Sequence, residues 1–348
     1  MKVLLVRMSS MGDLVHTLYA LEDVRKQGIN IELHWVSEPT FGDIASLHPL
    51  TRKVIHFPWR KYRKDIFKIK TWKEIISFFR ILRSEHYDRV IDSQGLVKSA
   101  VVGFLSGAPV YGFAQDSIRE KLASFFYKYR YSISEQDNVI WKNRVLFAAI
   151  FNYKNKINRA VYDAGIKIDL EDLSFEIEKH FHIAVMGASR TYKLWSEDNW
   201  NRLLRERHQQ DGLNVYLTWG SDKEKEAAES LAAQLNFVKV LPRLSLKEVA
   251  ILLSLSRSVV AVDTGLLHLA NALNLPTLGI YPKTSVNNTR TENRGYQRIV
   301  GGEAALSPLL VSQEWQKALA YKTREINDES IGSNQARGRS KRPNQSKR

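Results

Sequence analysis

The stretch "RMSSMGDLVHTL", Arg7 to Leu18, follows directly on the apolar run "KVLLV" and puts Asp13 where a strand gives way to a helix. The residues leave two readings open. Ser and Asp are favoured near helix starts, where a carboxylate meets the positive end of the helix dipole. The same place, at the carboxyl end of a buried strand, also suits a general base facing a cleft, and the dipole would hold it ionised as a base must be. His16, one turn on, is placed either to orient Asp13 or simply to pack.

Four further stretches carry candidate chemistry. In "VDTGLLHLANAL", Asp263, Thr264 and Gly265 lie between a buried strand and a helix. Backbone N–H groups at such a helix start can hold an anion, and Asp or Thr can equally be a cap. His268 is then a core residue or a ligand contact. "MGASRTYKLWSEDNW" offers a small-residue turn with Ser189, Arg190 and Lys193, which suits a diphosphate; Lys193 would neutralise charge on a phosphate leaving group. In "WGSDKEKE", Ser221 and Glu224 have capping-box spacing, and a carboxylate there can also bond ribose hydroxyls. "PWRKYRKDIF" interleaves bases with aromatics. Arg60, Arg63 and Lys64 fit phosphate or carboxylate recognition, or a solvated basic face.

Composition narrows the classes. The 348 residues contain no cysteine, which removes disulfides, thiolate catalysis and cysteine-ligated metals. There is no G-x-G-x-x-G and no G-x-x-x-x-G-K-[ST], so a dinucleotide dehydrogenase and a P-loop NTPase lose their main signal. No D-x-D pair or H-x-x-x-H spacing points to a metal. No apolar run is long enough for a membrane span, and no signal peptide is visible. The net charge of +15 favours anionic partners. It is uneven: Arg52 to Lys73 holds nine Lys or Arg against the single acid Asp65, and Ser333 to Arg348 holds six and no acid.

The elements that must position these residues alternate. Strand-like "KVLLVRM", "IELHWV" and "RVIDSQG" are separated by helix-like "LVHTLYALEDVRKQG" and "WKEIISFFRILRSEHYD". The rhythm restarts near His180 and runs through "FHIAVMGA", "NVYLTWG", "VKVLP", "SVVAVDTG" and "PTLGIYP", again with helices between. This predicts an α/β chain of two Rossmann-like halves, joined around Asp163 to Lys179, with ligands beyond the carboxyl ends of parallel strands. The expected division is 1–165 and 180–310, a C-terminal helix at 311–326, and a basic disordered tail at 327–348.

Taken together, "VLLVRMSSMGDLVHTLYAL", "WRKYRKD", "VIDSQGLVKSA", "SIREKLASFFY", "YKLWSEDNW", "LPRLSLKEVA" and "VDTGLLHLANAL" resemble the lipopolysaccharide heptosyltransferases, glycosyltransferase family 9. They span most of residues 1 to 310 in order. The likeness, basic segment included, is greatest to members that add the first heptose.

The resemblance implies a GT-B fold with the active site between two domains, and an inverting transfer of heptose from ADP-heptose to a Kdo sugar of Kdo-lipid A. It implies Asp13 as general base and Lys193 as the group that steadies the departing ADP. Donor contacts would come from Ala188, Ser189, Lys193, Glu224, Leu244, Asp263, Thr264, Gly265 and His268. Acceptor contacts would come from Arg60, Arg63, Lys64 and Arg119. No cofactor and no metal are implied beyond the donor itself. The family's phosphate loop often carries paired threonines where this chain has Ala188 and Ser189, so one hydroxyl is missing and more falls to backbone N–H groups. The implied location is the cytoplasmic side of the inner membrane, peripheral, with the basic tail on an anionic surface. Two other readings remain: transfer to a later core heptose, and a basic nucleic-acid-binding protein, for which no recognition motif is present.

Overall fold

The computed structural model of the chain describes residues 1–134, 138–153, 157, 162–173, 175–283, 295–302 and 306–322. The expected basic tail lies outside them.

The first half forms one parallel six-stranded sheet from β1 (Lys2–Val6), β2 (Glu32–Ser37), β3 (Thr51–His56), β4 (Arg89–Asp92), β5 (Val110–Phe113) and β6 (Tyr129–Tyr131). Its helices are α1 (Met11–Lys26), α2 (Gly42–Ser46), α3 (Trp59–Lys64), α4 (Ile69–Ser84), α5 (Val97–Leu105) and α6 (Val139–Ile150). The strand order is 3-2-1-4-5-6. The second half repeats it with β7 (Phe181–Val185), β8 (Asn214–Leu217), β9 (Val238–Val240), β10 (Ser258–Val262), β11 (Thr277–Tyr281) and β12 (Gln297–Gly301), in the order 12-11-10-7-8-9. Helices α7 (Glu197–Asp211), α8 (Asp222–Gln234), α9 (Leu246–Leu255) and α10 (Gly265–Ala272) serve this sheet, and residues 308–322 form a further helix, α11.

Each sheet therefore has the dinucleotide-fold order, with a switch point between β1 and β4 and another between β7 and β10. At such points the loops diverge and leave a crevice at the strands' carboxyl ends. The central strands are apolar throughout, as strands covered on both faces must be: Val3 to Val6 and Val259 to Val262 are fully buried.

Among the described residues the larger core cluster is not confined to one half. It runs from the first sheet through Leu14, Leu18 and Leu21 of α1 to Leu267 and Leu269 of α10, and on to Val259 and Ala261. A second cluster, with Trp200 and Trp315 at its centre, covers the other face of the second sheet. The halves meet where α1 packs on α10 and α2 on α9. A Cβ on Gly265 would lie 2.7 Å from Met11 Cβ and Sδ, and one on Gly12 would lie 2.7 Å from His268 Cδ2. The two helix starts approach this closely because both positions lack a side chain.

Candidate active site

Asp13 sits at the third residue of α1, after the β1 turn. Its Oδ2 accepts hydrogen bonds from the Ser10 amide and the Ser10 hydroxyl, both at 2.9 Å. Its Oδ1 lies 3.1 Å from Arg7 Nη2, and its side chain keeps 36% of its accessibility. Burial pushes the carboxyl upward in pKa, but the Arg7 guanidinium and the hydrogen bonds from the Ser10 amide and hydroxyl outweigh it and hold the value below the usual carboxylate range. Asp13 thus completes a capping box at the start of α1 with Ser10 and is ionised and partly open, so the helix-start reading is seen in the structure and the carboxylate is left where a base could also act.

Arg7 was not among the candidates. It is buried at the end of β1, and its Nη1 donates to the Ser93 carbonyl, tying the β1 exit to the β4 exit. The β4 turn is itself rigid. Asp92 accepts from the Gln94 amide, the Gly95 amide, Ser99 Oγ and Tyr127 OH, and Gln94 Oε1 accepts from the Met8 amide.

These two turns form the floor of a cavity of about 430 Å³ at the first switch point. Arg7, Ser9, Ser10 and Asp13 line one side, and Ser93, Gln94, Gly95 and Leu96 the next. Phe113, Ser117, Ile118 and Arg119 close the third, and Val139, Lys142 and Asn143 of α6 the last. Three cations and several hydroxyl or amide groups facing one carboxylate suit a polyhydroxylated anionic ligand. The sequence reading held Asp13 and Arg119 of this set; the others come from separate stretches of chain that only the fold brings together.

Arg60, Arg63 and Lys64 do not line that cavity. They are exposed on α3 at the carboxyl end of β3, on the rim of the same crevice. The Arg60 amide donates to Glu38 Oε1 at 3.2 Å, and its guanidinium lies 5.6 Å from the Phe41 ring centroid. Lys98 of α5, also absent from the candidates, lies within electrostatic reach of Glu38, Arg60, Glu120 and Arg63. Burial holds its ammonium below the ordinary lysine value.

On the facing half, Lys193 Nζ lies 2.6 Å from Asp263 Oδ2. This pair joins the β7 turn to the β10 turn, across the second switch point. Asp263 is buried, Thr264 is the N-cap of α10 without a side-chain cap bond, and Gly265 opens the helix. Glu224 accepts from the Gly220 and Ser221 amides, at 2.7 and 3.1 Å, through Oε2. A Cβ on Gly187 would come within 2.4 Å of Glu224 Oε1, so this carboxylate reaches from the α8 start to the β7 turn. Ala188 is half-buried beside it, Ser189 is exposed, and Leu244 packs half-buried on the larger core cluster. The donor-side candidates therefore follow the carboxyl ends of β7 to β10, and two of them, Gly265 and His268, lie against the start of α1, the helix that carries Asp13.

His16 does not orient Asp13. Among the described residues neither ring nitrogen has a hydrogen-bond partner, and the ring packs edge-on against His268 with centroids 4.5 Å apart. Burial, together with the charge of His268, pushes His16 down to about 3, so it is neutral. His268 is likewise buried and lowered, despite Asp263 and Asp13 nearby.

Three comparisons bear on this site. The family model "Glycosyltransferase family 9 (heptosyltransferase)" matches residues 75–317. The chain is 38% identical over 312 residues to a lipopolysaccharide heptosyltransferase 1 of Pseudomonas aeruginosa, covering 89% of this chain and 86% of that one. It is 36% identical over 285 residues to the enzyme of the same name from Escherichia coli, covering 82% and 88%. The solved structure of E. coli heptosyltransferase WaaC with ADP-2-deoxy-2-fluoro heptose superposes with a TM-score of 0.77 at 32% identity, over 95% of this chain and 100% of that one. E. coli heptosyltransferase II, at 17% identity and a TM-score of 0.73, shares the fold.

Proposed function

Because the chain belongs to glycosyltransferase family 9 and is a lipopolysaccharide heptosyltransferase of the GT-B fold, we propose that its donor is ADP-heptose and its acceptor a Kdo sugar of Kdo-lipid A. The observation that carries the reading is the placement of Asp13. It is an ionised carboxylate on the wall of a cation-lined cavity, at the helix start that packs against the start of α10.

In this reading the acceptor sugar occupies the first-half cavity, with Arg7, Arg119 and Lys142 around its carboxylate. Arg60, Arg63, Lys64 and Lys98 receive further anionic groups at the rim. ADP-heptose lies along the second half, its diphosphate at the α10 start and its ribose near Glu224. Asp13 takes the proton from the acceptor hydroxyl as that oxygen bonds to the heptose anomeric carbon. The anomeric C–O bond breaks, and its electron pair leaves on ADP from the opposite face, so configuration inverts. Lys193 moves from Asp263 to share the developing charge of the leaving phosphate, helped by the backbone N–H groups at the α10 start.

The first acceptor, rich in carboxylate and phosphate, fits this basic rim better than a later, heptosylated core would. The enzyme acts on the cytoplasmic side of the inner membrane, peripherally. No helix of the described residues is long and apolar enough to cross a membrane. The test is ADP release from purified protein given ADP-heptose with delipidated Kdo-lipid A or with heptosylated core. Faster turnover of the first acceptor is expected. Preference for the heptosylated core would assign the later step, and no release with either would remove the reading.

A further inference from the structure

Helix α4 carries apolar side chains on the wrong side for a core. Its inner face packs Phe78 and Phe79 on Phe57 and buries Leu82. Its outer face presents Ile69, Trp72 and Ile76, 76%, 50% and 56% exposed and spaced three and four residues apart. Phe67, just before the helix, is 98% exposed. The Trp72 indole donates to the Ile66 carbonyl at 2.8 Å, which holds this preceding turn against the helix. Monomeric proteins seldom present so continuous an apolar patch without an occupant.

The surrounding charge says which occupant. Lys68, Lys70, Lys73 and Arg80 are exposed around the patch, and Arg63 and Lys64 of α3 stand next to it in the chain. A second copy of this chain would bring the same cations against themselves, which opposes a self-complementary contact. An apolar wedge with tryptophan at its edge and a collar of lysines is the pattern of a segment lying in a membrane interface. The α3–α4 segment leaves the carboxyl end of β3, the sheet edge that also bears the Asp13 turn. A surface bound there lies beside the acceptor side of the cleft.

We propose that the face formed by Phe67, Ile69, Trp72 and Ile76 docks the protein on an anionic phospholipid bilayer. This deepens the reading of a lipid-borne acceptor. Its test uses neither donor nor acceptor, so the two can fail separately.

The experiment is co-sedimentation of the full chain with vesicles of phosphatidylethanolamine and phosphatidylglycerol, beside vesicles of phosphatidylcholine alone. The wild type is compared with Phe67→Ser/Ile69→Ser, which keeps the charge and alters only exposed side chains. A second variant neutralises the tail (Arg337→Gln, Arg339→Gln, Lys341→Gln, Arg342→Gln, Lys347→Gln, Arg348→Gln). The expected result is preference for anionic vesicles and a loss of about tenfold or more in partitioning for the double serine variant. Its ADP release with delipidated acceptor stays at the wild-type rate, and a blue shift of emission on vesicle binding is lost in Trp72→Phe. The proposal is overturned if wild type binds neither vesicle, if the serine variant partitions like wild type, or if the tail variant alone loses all binding. A wild-type dimer that the serine variant dissolves would assign the face to a second copy instead.

Discussion

Arg7 Nη2 lies 3.1 Å from Asp13 Oδ1, while the same guanidinium holds the Ser93 carbonyl through Nη1. One buried cation thus fixes the proposed base and ties it to the adjoining wall of the cavity. Burial alone would raise the Asp13 carboxyl; Arg7 heads the groups that bring it down. Arg7→Met should therefore raise the Asp13 pKa and move the acid limb of the kcat/KM profile to higher pH. In the wild type that limb should lie below the ordinary Asp value of about 3.9. Superimposable profiles for the two proteins would show that Arg7 does not tune the base.

Lys193 and Asp263 form the matching pair on the donor side, 2.6 Å apart. If Lys193 transfers its charge to the leaving phosphate, Lys193→Met should lower kcat by about 10²–10³, the usual cost of losing one stabiliser of developing charge. Steady-state ADP release at saturating donor and acceptor reads this directly. A change confined to the KM for ADP-heptose would mean that Lys193 only binds.

The contact of the two helix starts depends on the two glycines. Gly265→Ala puts a methyl group 2.7 Å from Met11 Cβ, a main-chain-proximal atom that cannot swing away. Overpacking of this kind costs about 1–3 kcal/mol, measurable as a lower urea midpoint. Because the clash forces α1 and α10 apart, turnover should fall along with stability. Gly212→Ala, at a helix end with open space but a left-handed φ of 72°, should lose stability through backbone strain yet leave turnover intact, which separates a general stability loss from the effect on the site.

His16 and His48 supply a pH dependence of stability. Burial is the main cause for both, and it holds His16 at about 3 and His48 at about 4, against an ordinary value of 6.5. The unfolded chain takes up protons below 6.5 that the folded one refuses. Stability is therefore fully present above pH 6.5 and falls as pH is lowered towards 4 and 3. Each histidine contributes a slope of up to about 1.4 kcal/mol per pH unit. His16→Phe, which keeps a ring against His268, should flatten the slope between pH 7.5 and 5 in urea titrations; an unchanged slope would contradict the buried neutral state.

Much of the frame was legible because it is written locally. The β1–α1 and β10–α10 junctions each place an apolar strand, a small-residue turn and an acid within a dozen residues, and those two junctions carry the centre of the proposed site. Strand β3 was hidden by its edge position: "TRKVIH" has only two half-buried apolar residues and sits in a run read for its charge. Strands β5 and β6, at four and three residues, are too short to show a period. The cavity walls were illegible for a different reason. Ser93, Ser117 and Lys142 have no shared motif and converge only through the order of strands β1, β4 and β5 and the packing of α6. The pairing of His16 with His268 rather than Asp13 likewise depends on how the two halves meet.

The most direct measurement is acceptor-dependent ADP release by wild type and by Asp13→Ala, with unfolding followed in parallel. If Asp13 is the general base, the variant should keep its fold and its donor binding, lose about 1 kcal/mol of capping stability, and release ADP about 10²–10⁴-fold more slowly. If Asp13 merely caps α1, the same stability loss should appear with a rate close to wild type, and the proton of the acceptor hydroxyl would have to leave by another group.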